Sequence, residues 1–485
     1  MVNFAQAVQN TSRLSLTANG MATFESSSDP SVDLFFAIGS SRGKDLSQAF
    51  ARSYASDPDI SMKILFWARD VRGGAGERDT FRKLICNLEV TQIKSLEANL
   101  SLIPLYGRWD DLLVFQTPRM KVLAYDLINR ALRAGNGLTA KWMPRKGTVA
   151  NDLRKYMNFT PKAYRQLLVS LTNVVETQMC AKNWDAINYS HVPSIAAARY
   201  QKAFNKRDTA RYASWKEGLK TGETKVNASA LYPYDVLKSI EYGDRDVAAA
   251  QWEALPNYLG DDKILPMIDV SGSMNCSVGT STGQKGVGIN CMDMSVSLGL
   301  YIADKQTGAF KDCFLTFDTN SRLEVLKGNL LQKIAQLRSA DWGGSTNLDS
   351  GFQEILRVAT TNNLPASEMP KYLVVLSDME FNPYSSGMRN IGAFELATNM
   401  FASAGYELPN IVWWNLNARP DAQGNSPVRF DQTGAALISG YSPSIMKSVL
   451  TATSFTPRDI MMETIGGDRY QVVTSRPTIP RRAAQ

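Results

Sequence analysis

The apolar residues of this chain change their period once, near Asp261, and that change restricts the folds open to it. Before it, apolar side chains recur three and four residues apart, as in Leu46 to Tyr54, Met62 to Ala68, Val122 to Leu132 and Tyr164 to Met179, which gives a helix one stripe to bury. Breaks at Pro104, Gly135-Asn136-Gly137 and Pro161 predict helices of about 10–17 residues packed as antiparallel pairs, an all-α, HEAT-like repeat array without a regular period. After it, the short apolar runs Ile264–Ile268, Cys313–Phe317, Tyr372–Leu376 and Ile411–Asn415 each lead through a polar loop into a helical segment. Strands alternating with helices predict a doubly wound, Rossmann-like α/β layer, which holds ligands at the carboxyl ends of its strands. Tyr470–Val473 reads as a last strand, followed by a basic tail, Arg476 to Gln485, expected to be disordered or to return to the helical half.

At 485 residues the chain exceeds the ~250–300 that one core usually supports, so the expected organisation is an α-helical domain over 1–258, an α/β domain over 259–474 and a tail over 475–485. Charge follows the same division: residues 1–260 hold 34 Lys/Arg against 25 Asp/Glu, a net +9, and residues 261–485 hold 19 against 21, a net −2. A basic helical half suits a polyanion such as RNA, because cations that neutralise phosphates release counterions; a merely solvated positive surface is the alternative. No apolar run approaches a membrane span, and Met1-Val2-Asn3-Phe4 opens no signal peptide, so the expectation is a cytoplasmic protein without a membrane partner. The five cysteines (Cys86, Cys180, Cys276, Cys291, Cys313) form no CxxC and have one histidine for company, which predicts reduced thiols and no zinc site; Cys276 and Cys291 flank the metal loop and could pair, but intracellular disulfides are rare, so they too are expected to be reduced.

The chemistry concentrates where a buried strand ends. Leu265 to Ile268 runs straight into Asp269-Val270-Ser271-Gly272-Ser273, whose alternating oxygens converge on one side of a tight loop that Gly272 lets bend. Thr346, in the glycine-rich Trp342-Gly343-Gly344-Ser345-Thr346-Asn347-Leu348, adds a hydroxyl, and Asp378 ends a second buried strand, Leu373 to Ser377. Hard divalent cations take such oxygen sets, Mg²⁺ first, with Mn²⁺ or Ca²⁺ as alternatives. A short Ser/Gly/Asp turn is common by itself; three elements in this order, two at strand ends, are far more specific. The half resembles a von Willebrand factor A domain with its metal-ion-dependent adhesion site, and the family pattern falls on Asp269, Ser271, Ser273, Thr346 and Asp378. That resemblance implies a cation with an open position for an acidic group of a partner protein.

Four phrases of the helical half carry clustered cations. Arg69, Arg72 and Arg78 surround a glycine-rich break, Gly73-Gly74-Ala75-Gly76, where they could cradle phosphate or pair with Asp70, Glu77 and Asp79 to lock a corner between helices; a P-loop's terminal Lys-Ser/Thr is missing. Arg108 lies in Tyr106-Gly107-Arg108-Trp109-Asp110-Asp111. Lys141, Trp142, Arg145 and Lys146 interleave cations with an aromatic, which suits phosphate contact with base stacking. Lys202, Lys206 and Arg207 follow Asn188-Tyr189-Ser190-His191-Val192-Pro193-Ser194. Together these phrases, with Ser377-Asp378-Met379-Glu380-Phe381, Trp413 to Asn417 and Ser439 to Pro443, resemble TROVE-like proteins akin to the Ro autoantigen, over most of the chain and closest to an uncharacterised DUF2828-type branch. The resemblance implies a non-enzymatic ribonucleoprotein scaffold that binds structured or single-stranded RNA. The alternative is a metal-dependent protein-interaction or assembly module without RNA, viral or virion-associated. Metal-assisted hydrolysis fits poorly, since neither a second carboxylate cluster nor a His/Lys base accompanies the metal strands.

Overall fold

The computed structural model describes residues 14–228, 231–280, 287–340, 345–383, 392–422 and 425–476. The chain opens with an antiparallel hairpin, β1 (Leu14–Leu16) and β2 (Ala22–Phe24), then runs through helices from Pro30–Ile38 to Arg245–Glu253. Local chemistry sets their starts. Asp29 accepts from the amides of Ser31 and Val32 ahead of Pro30, Asp57 accepts from Ile60 ahead of Pro58, and Asn136 and Thr160 cap the helices Gly137–Trp142 and Pro161–Leu171. The helix expected over Tyr164 to Met179 is two, Pro161–Leu171 and Val175–Cys180. Thr172 takes an extended backbone there and returns its hydroxyl to the Leu168 carbonyl at 2.5 Å, ending the first helix despite continuing apolar residues.

The second half builds one six-stranded sheet from β3 (Ile264–Asp269), β6 (Cys313–Phe317), β7 (Leu323–Val325), β8 (Tyr372–Ser377), β9 (Asn410–Asn415) and β10 (Ala435–Ser439). A separate hairpin, β4 (Ser277–Thr280) with β5 (Gly288–Asn290), leaves it just after β3. The order is β10-β9-β8-β3-β6-β7, parallel throughout except for β7 against β6. Every residue of β3 and β8 is buried, which is why these strands read as continuous apolar runs without alternation. Register places Ile268 beside Leu376, so Asp269 and Asp378 both emerge at carboxyl ends of neighbouring strands.

One expectation about the sheet is corrected, and two of its strands, β7 and β10, were not among the expected runs. Tyr470–Val473 is no strand: a helical turn, Asp468–Tyr470, passes into a turn, and Tyr470 and Val473 are buried from it. The sixth strand is β10, a five-residue run entered from Gly434. Past Val473 the chain returns to the helical half, where Ser475 donates its amide to Asp59 at 2.6 Å and Asn99 donates to the Thr474 carbonyl at 2.5 Å. The tail from 477 onward lies outside the described residues.

The change of pattern at 258/259 does not divide the core. The helix Pro30–Ile38 lies on β10, beside the helix Pro457–Gly466 that covers the same strand. Gly39 ends it so close to the sheet that an added Cβ would stand 2.6 Å from the Ser439 carbonyl oxygen. One apolar core therefore runs from Met21 to Val473, and a smaller one, around Tyr189, Phe204, Tyr212 and Trp215, holds the helices Ser194–Arg207 and Thr209–Thr221 together. No helix among the described residues is long and apolar enough to cross a membrane.

Arg69 anchors the corner between the helix Pro58–Arg69 and the turn at Trp109–Val114, its Nε and terminal nitrogen each 2.8 Å from Asp111. Asp111 also accepts from Arg82 at 2.6 Å and from the Arg108 amide at 2.9 Å. Asp111→Ala, which strands the buried Arg69 guanidinium, is expected to cost about 3–5 kcal/mol in chemical denaturation. Asp126→Ala, breaking the exposed i,i+4 pair with Arg130, should cost under about 1 kcal/mol in the same assay.

Candidate metal centre and basic surface

Asp269 is wholly buried at the last position of β3. Its Oδ1 accepts the Ser271 amide at 2.9 Å, and its Oδ2 accepts the Ser377 hydroxyl at 2.5 Å. The Ser271 and Ser273 hydroxyls lie 3.0 Å apart, and Ser273 hydrogen-bonds Asp378. Burial, followed by the negative charge of Asp378, pushes the Asp269 carboxyl up to about 7 against the donors Ser377 and Ser271. Asp378 is raised as well, chiefly by burial, with the Glu380 amide acting against it. Thr346, buried on a neighbouring loop, donates its hydroxyl to the Glu380 carbonyl at 2.8 Å and accepts from the Asn19 carboxamide at 3.4 Å. The five predicted residues thus meet in one hydrogen-bonded neighbourhood at the point where the strand order reverses between β3 and β8.

Two carboxylates and three hydroxyls are an all-oxygen donor set, and two buried carboxylates held together want a cation between them, so the residues fit a hard divalent ion. The described residues contain no group of three or more His, Cys, Asp or Glu that could hold a metal ion.

Four neighbours of the site were not singled out from sequence. Ser377 holds Asp269 from the adjacent strand. Asp318, beyond the end of β6, accepts the Ser345 amide at 3.3 Å and its hydroxyl at 3.2 Å, fixing the loop that carries Thr346. Glu380 receives the Ala18 amide at 2.6 Å and pairs with Arg419. Asn19, at the tip of the β1–β2 hairpin, donates to the Glu380 carbonyl at 2.6 Å and stands 3.4 Å from the Thr346 hydroxyl. A contact across more than 320 residues leaves no trace in spacing. The available signal was the strand-end Glu380 two residues past Asp378, separated from it by Met379 in the left-handed region at φ 67°.

The candidate RNA residues disperse. Arg69 is corrected: it is 1% exposed and committed to Asp111, so it offers no donor to a ligand. Arg78 pairs with Asp79 at 3.0 Å on the surface, and Arg72 is exposed. Arg108 bonds Asp110 and lies 3.9 Å over the Trp142 ring, with Lys141 at 5.5 Å from the same ring, so this indole is already covered by a cation. Arg145 and Lys146 are exposed on the following turn. Lys202, Lys206 and Arg207 are exposed on the helix Ser194–Arg207 and form no ion pair among the described residues. With Arg199, also exposed, Lys202 and Lys206 fall at i, i+3 and i+7, one basic stripe.

These features define a two-part chain, helical and then α/β, with an acidic oxygen cluster at the sheet's switch point. Residues 263–477 match the family described as "Domain of unknown function (DUF7788)", and residues 17–113 and 128–262 match "Domain of unknown function (DUF2828)". A relative in Acanthamoeba polyphaga mimivirus, "Uncharacterized protein L728", is 28% identical over 520 residues, covering 93% of this chain and 87% of the relative. No solved structure matches the chain. Neither family description names Ro or von Willebrand A.

Because burial lifts the Asp269 titration from 3.8 to about 7, ionising it costs stability: the penalty is absent below about pH 4 and complete above about pH 7. In EDTA, Asp269→Asn should therefore stabilise the protein at pH 8, by up to about 4 kcal/mol, and make no difference near pH 4. Thermal unfolding across that range measures it. An equal effect at both pH values would contradict the assignment.

Proposed function

We propose that this protein is a non-enzymatic scaffold in which a divalent cation, Mg²⁺ first, is held by Asp269, Ser271, Ser273, Thr346 and Asp378 and grips an acidic group of a partner, while the basic helical half binds RNA. The observation that carries the reading is the pair of buried, mutually repelling carboxylates at the ends of β3 and β8. A bound cation would neutralise that pair and supply an electrophilic position for a carboxylate oxygen. The chain's own residues do the rest: Ser377 fixes the rotamer of Asp269, Asp318 sets the Thr346 loop, and the Glu380 carbonyl accepts the Thr346 hydroxyl hydrogen bond.

The strand order, read by position in the sheet as 3-2-1-4-5-6 with the third strand antiparallel, supports a von Willebrand A-like arrangement for the second half. For RNA the support is the stripe of Arg199, Lys202 and Lys206 with Arg207, joined by Arg145 and Lys146. Base stacking on Trp142 loses support, because Arg108 lies over its ring. The assembly-module reading, without RNA, gains from that loss and from a relative that is viral.

Isothermal titration with Mn²⁺ is expected to show one site in the wild type, lost in Asp378→Ala and strengthened as pH rises through about 7, because loading the cation displaces a proton from Asp269. Pull-downs should lose the acidic partner in EDTA; retention of every partner would remove the metal from the function. Filter binding of structured RNA should weaken with salt, and Lys202→Ala with Lys206→Ala and Arg207→Ala should lower affinity at least tenfold and flatten the salt slope. RNA affinity that is absent, or insensitive to salt, favours the assembly module.

A further inference from the structure

The sulfurs of Cys276 and Cys291 lie 2.8 Å apart, either one able to donate to the other. All five cysteines are free thiols here, and no other hydrogen-bonded thiol pair occurs among the described residues. The backbone explains the proximity. Ser277 pairs with Asn290 at the base of the β4–β5 hairpin, and one further step of that antiparallel register sets Cys276 opposite Cys291, whose amide donates to the Cys276 carbonyl at 3.1 Å. Opposed residues in such a ladder have Cα atoms about 4.5–5.5 Å apart, within the span a disulfide bridges without backbone movement.

The two thiols differ in access and support. Cys276 is half-buried and follows the Gly272–Asn275 turn of the metal loop, its amide 3.4 Å from the Ser273 carbonyl. Cys291 is wholly buried and starts the helix Cys291–Lys305, where Asn290 and Asp293 cap one another reciprocally and hold it in place. An accessible thiol beside a fixed, buried one is the arrangement of an attacking and a resolving cysteine.

We propose that Cys276 and Cys291 form a reversible disulfide by exchange with a low-molecular-weight disulfide such as oxidised glutathione, tying the Ser271–Ser273 loop to the start of the helix Cys291–Lys305. Cys276, as thiolate, attacks one sulfur of oxidised glutathione; a glutathione thiolate leaves, and a mixed disulfide remains on Cys276. Cys291 releases its proton to solvent and attacks the Cys276 sulfur, expelling the second glutathione. Two protein thiols are oxidised and one glutathione disulfide is reduced to two thiols. The proposal stands whether or not the cluster beside it takes a metal.

The experiment equilibrates the full-length protein in glutathione buffers from reducing to oxidising, quenches with acid, and counts thiols after denaturation and alkylation. Lys285 lies between the two cysteines, so trypsin separates them into peptides that stay joined only through a disulfide. The expected result is a fall from five thiols to three, one linked peptide pair joining Cys276 to Cys291, and a full return under reduction. Cys276→Ser should hold four thiols in every buffer. Five thiols in the most oxidising buffer, a linkage through Cys86, Cys180 or Cys313, a glutathione adduct that never resolves, or loss of two thiols in Cys276→Ser would each overturn the proposal.

Discussion

The structure is organised around a charge that the fold has buried. Asp269 and Asp378 leave the ends of adjacent parallel strands, and the sheet offers them neither bulk water nor a nearby arginine in hydrogen-bond contact. Only hydroxyls and amides meet them: Ser271, Ser273, Ser377 and the Glu380 amide. Like charges in a low-dielectric setting repel strongly, and neutral donors offset only part of that cost. A fold that keeps both carboxylates there must position them with neutral donors, and the elements around them serve to hold that geometry. Asp318 and Glu380, one on each side, immobilise the Thr346 loop and the turn after β8 without adding a further carboxylate to the centre.

The site is completed from the far end of the chain. The β1–β2 hairpin bonds the turn after β8 through Thr17, Ala18 and Asn19, and it brings a carboxamide up to Thr346. The helix Pro30–Ile38 covers β10, and the last described residues run back over the helices near Asp59 and Asn99. The first and last described segments are thus fastened across the change of pattern, and the apolar core is continuous through it. A boundary in secondary structure is therefore not a boundary in packing. Small contacts enforce this, including Gly39 against Ser439, where any side chain would collide with the backbone.

How much of this was legible depends on the range of the interactions involved. β3, β6, β8 and β9 declared themselves because strands buried on both faces are unbroken apolar runs, and the oxygens at their ends follow from order along the chain. β10 was missed because Ala435-Ala436-Leu437 has no bulky β-branched residue before Ile438. Tyr470–Val473 passed for a strand because its apolar side chains are buried from a turn, where Tyr470 reaches Asp70 at 2.9 Å. Arg69 looked like a phosphate ligand for a related reason. Sequence shows a cation next to glycines, but the partner that claims it, Asp111, lies 42 residues on. Asn19 had no signal at all, since its role depends wholly on tertiary placement.

The same physics decides between the cations of the helical half. A guanidinium that finds a buried carboxylate is removed from any contest for solvent phosphates, as Arg69 and Arg82 are by Asp111. One that covers an indole, as Arg108 covers Trp142, has spent its flat face and competes with any base for the ring. What remains for a polyanion is charge that the fold leaves unpaired on a rigid support. On the helix Ser194–Arg207, which the smaller core of Tyr189, Phe204, Tyr212 and Trp215 stiffens, Lys202, Lys206 and Arg207 are exposed and form no ion pair among the described residues. The basic excess of the first half thus includes a structural part, consumed at helix corners, and exposed cations such as Arg145, Lys146, Lys202, Lys206 and Arg207, and only cations of the second kind are in a position to meet a polyanion.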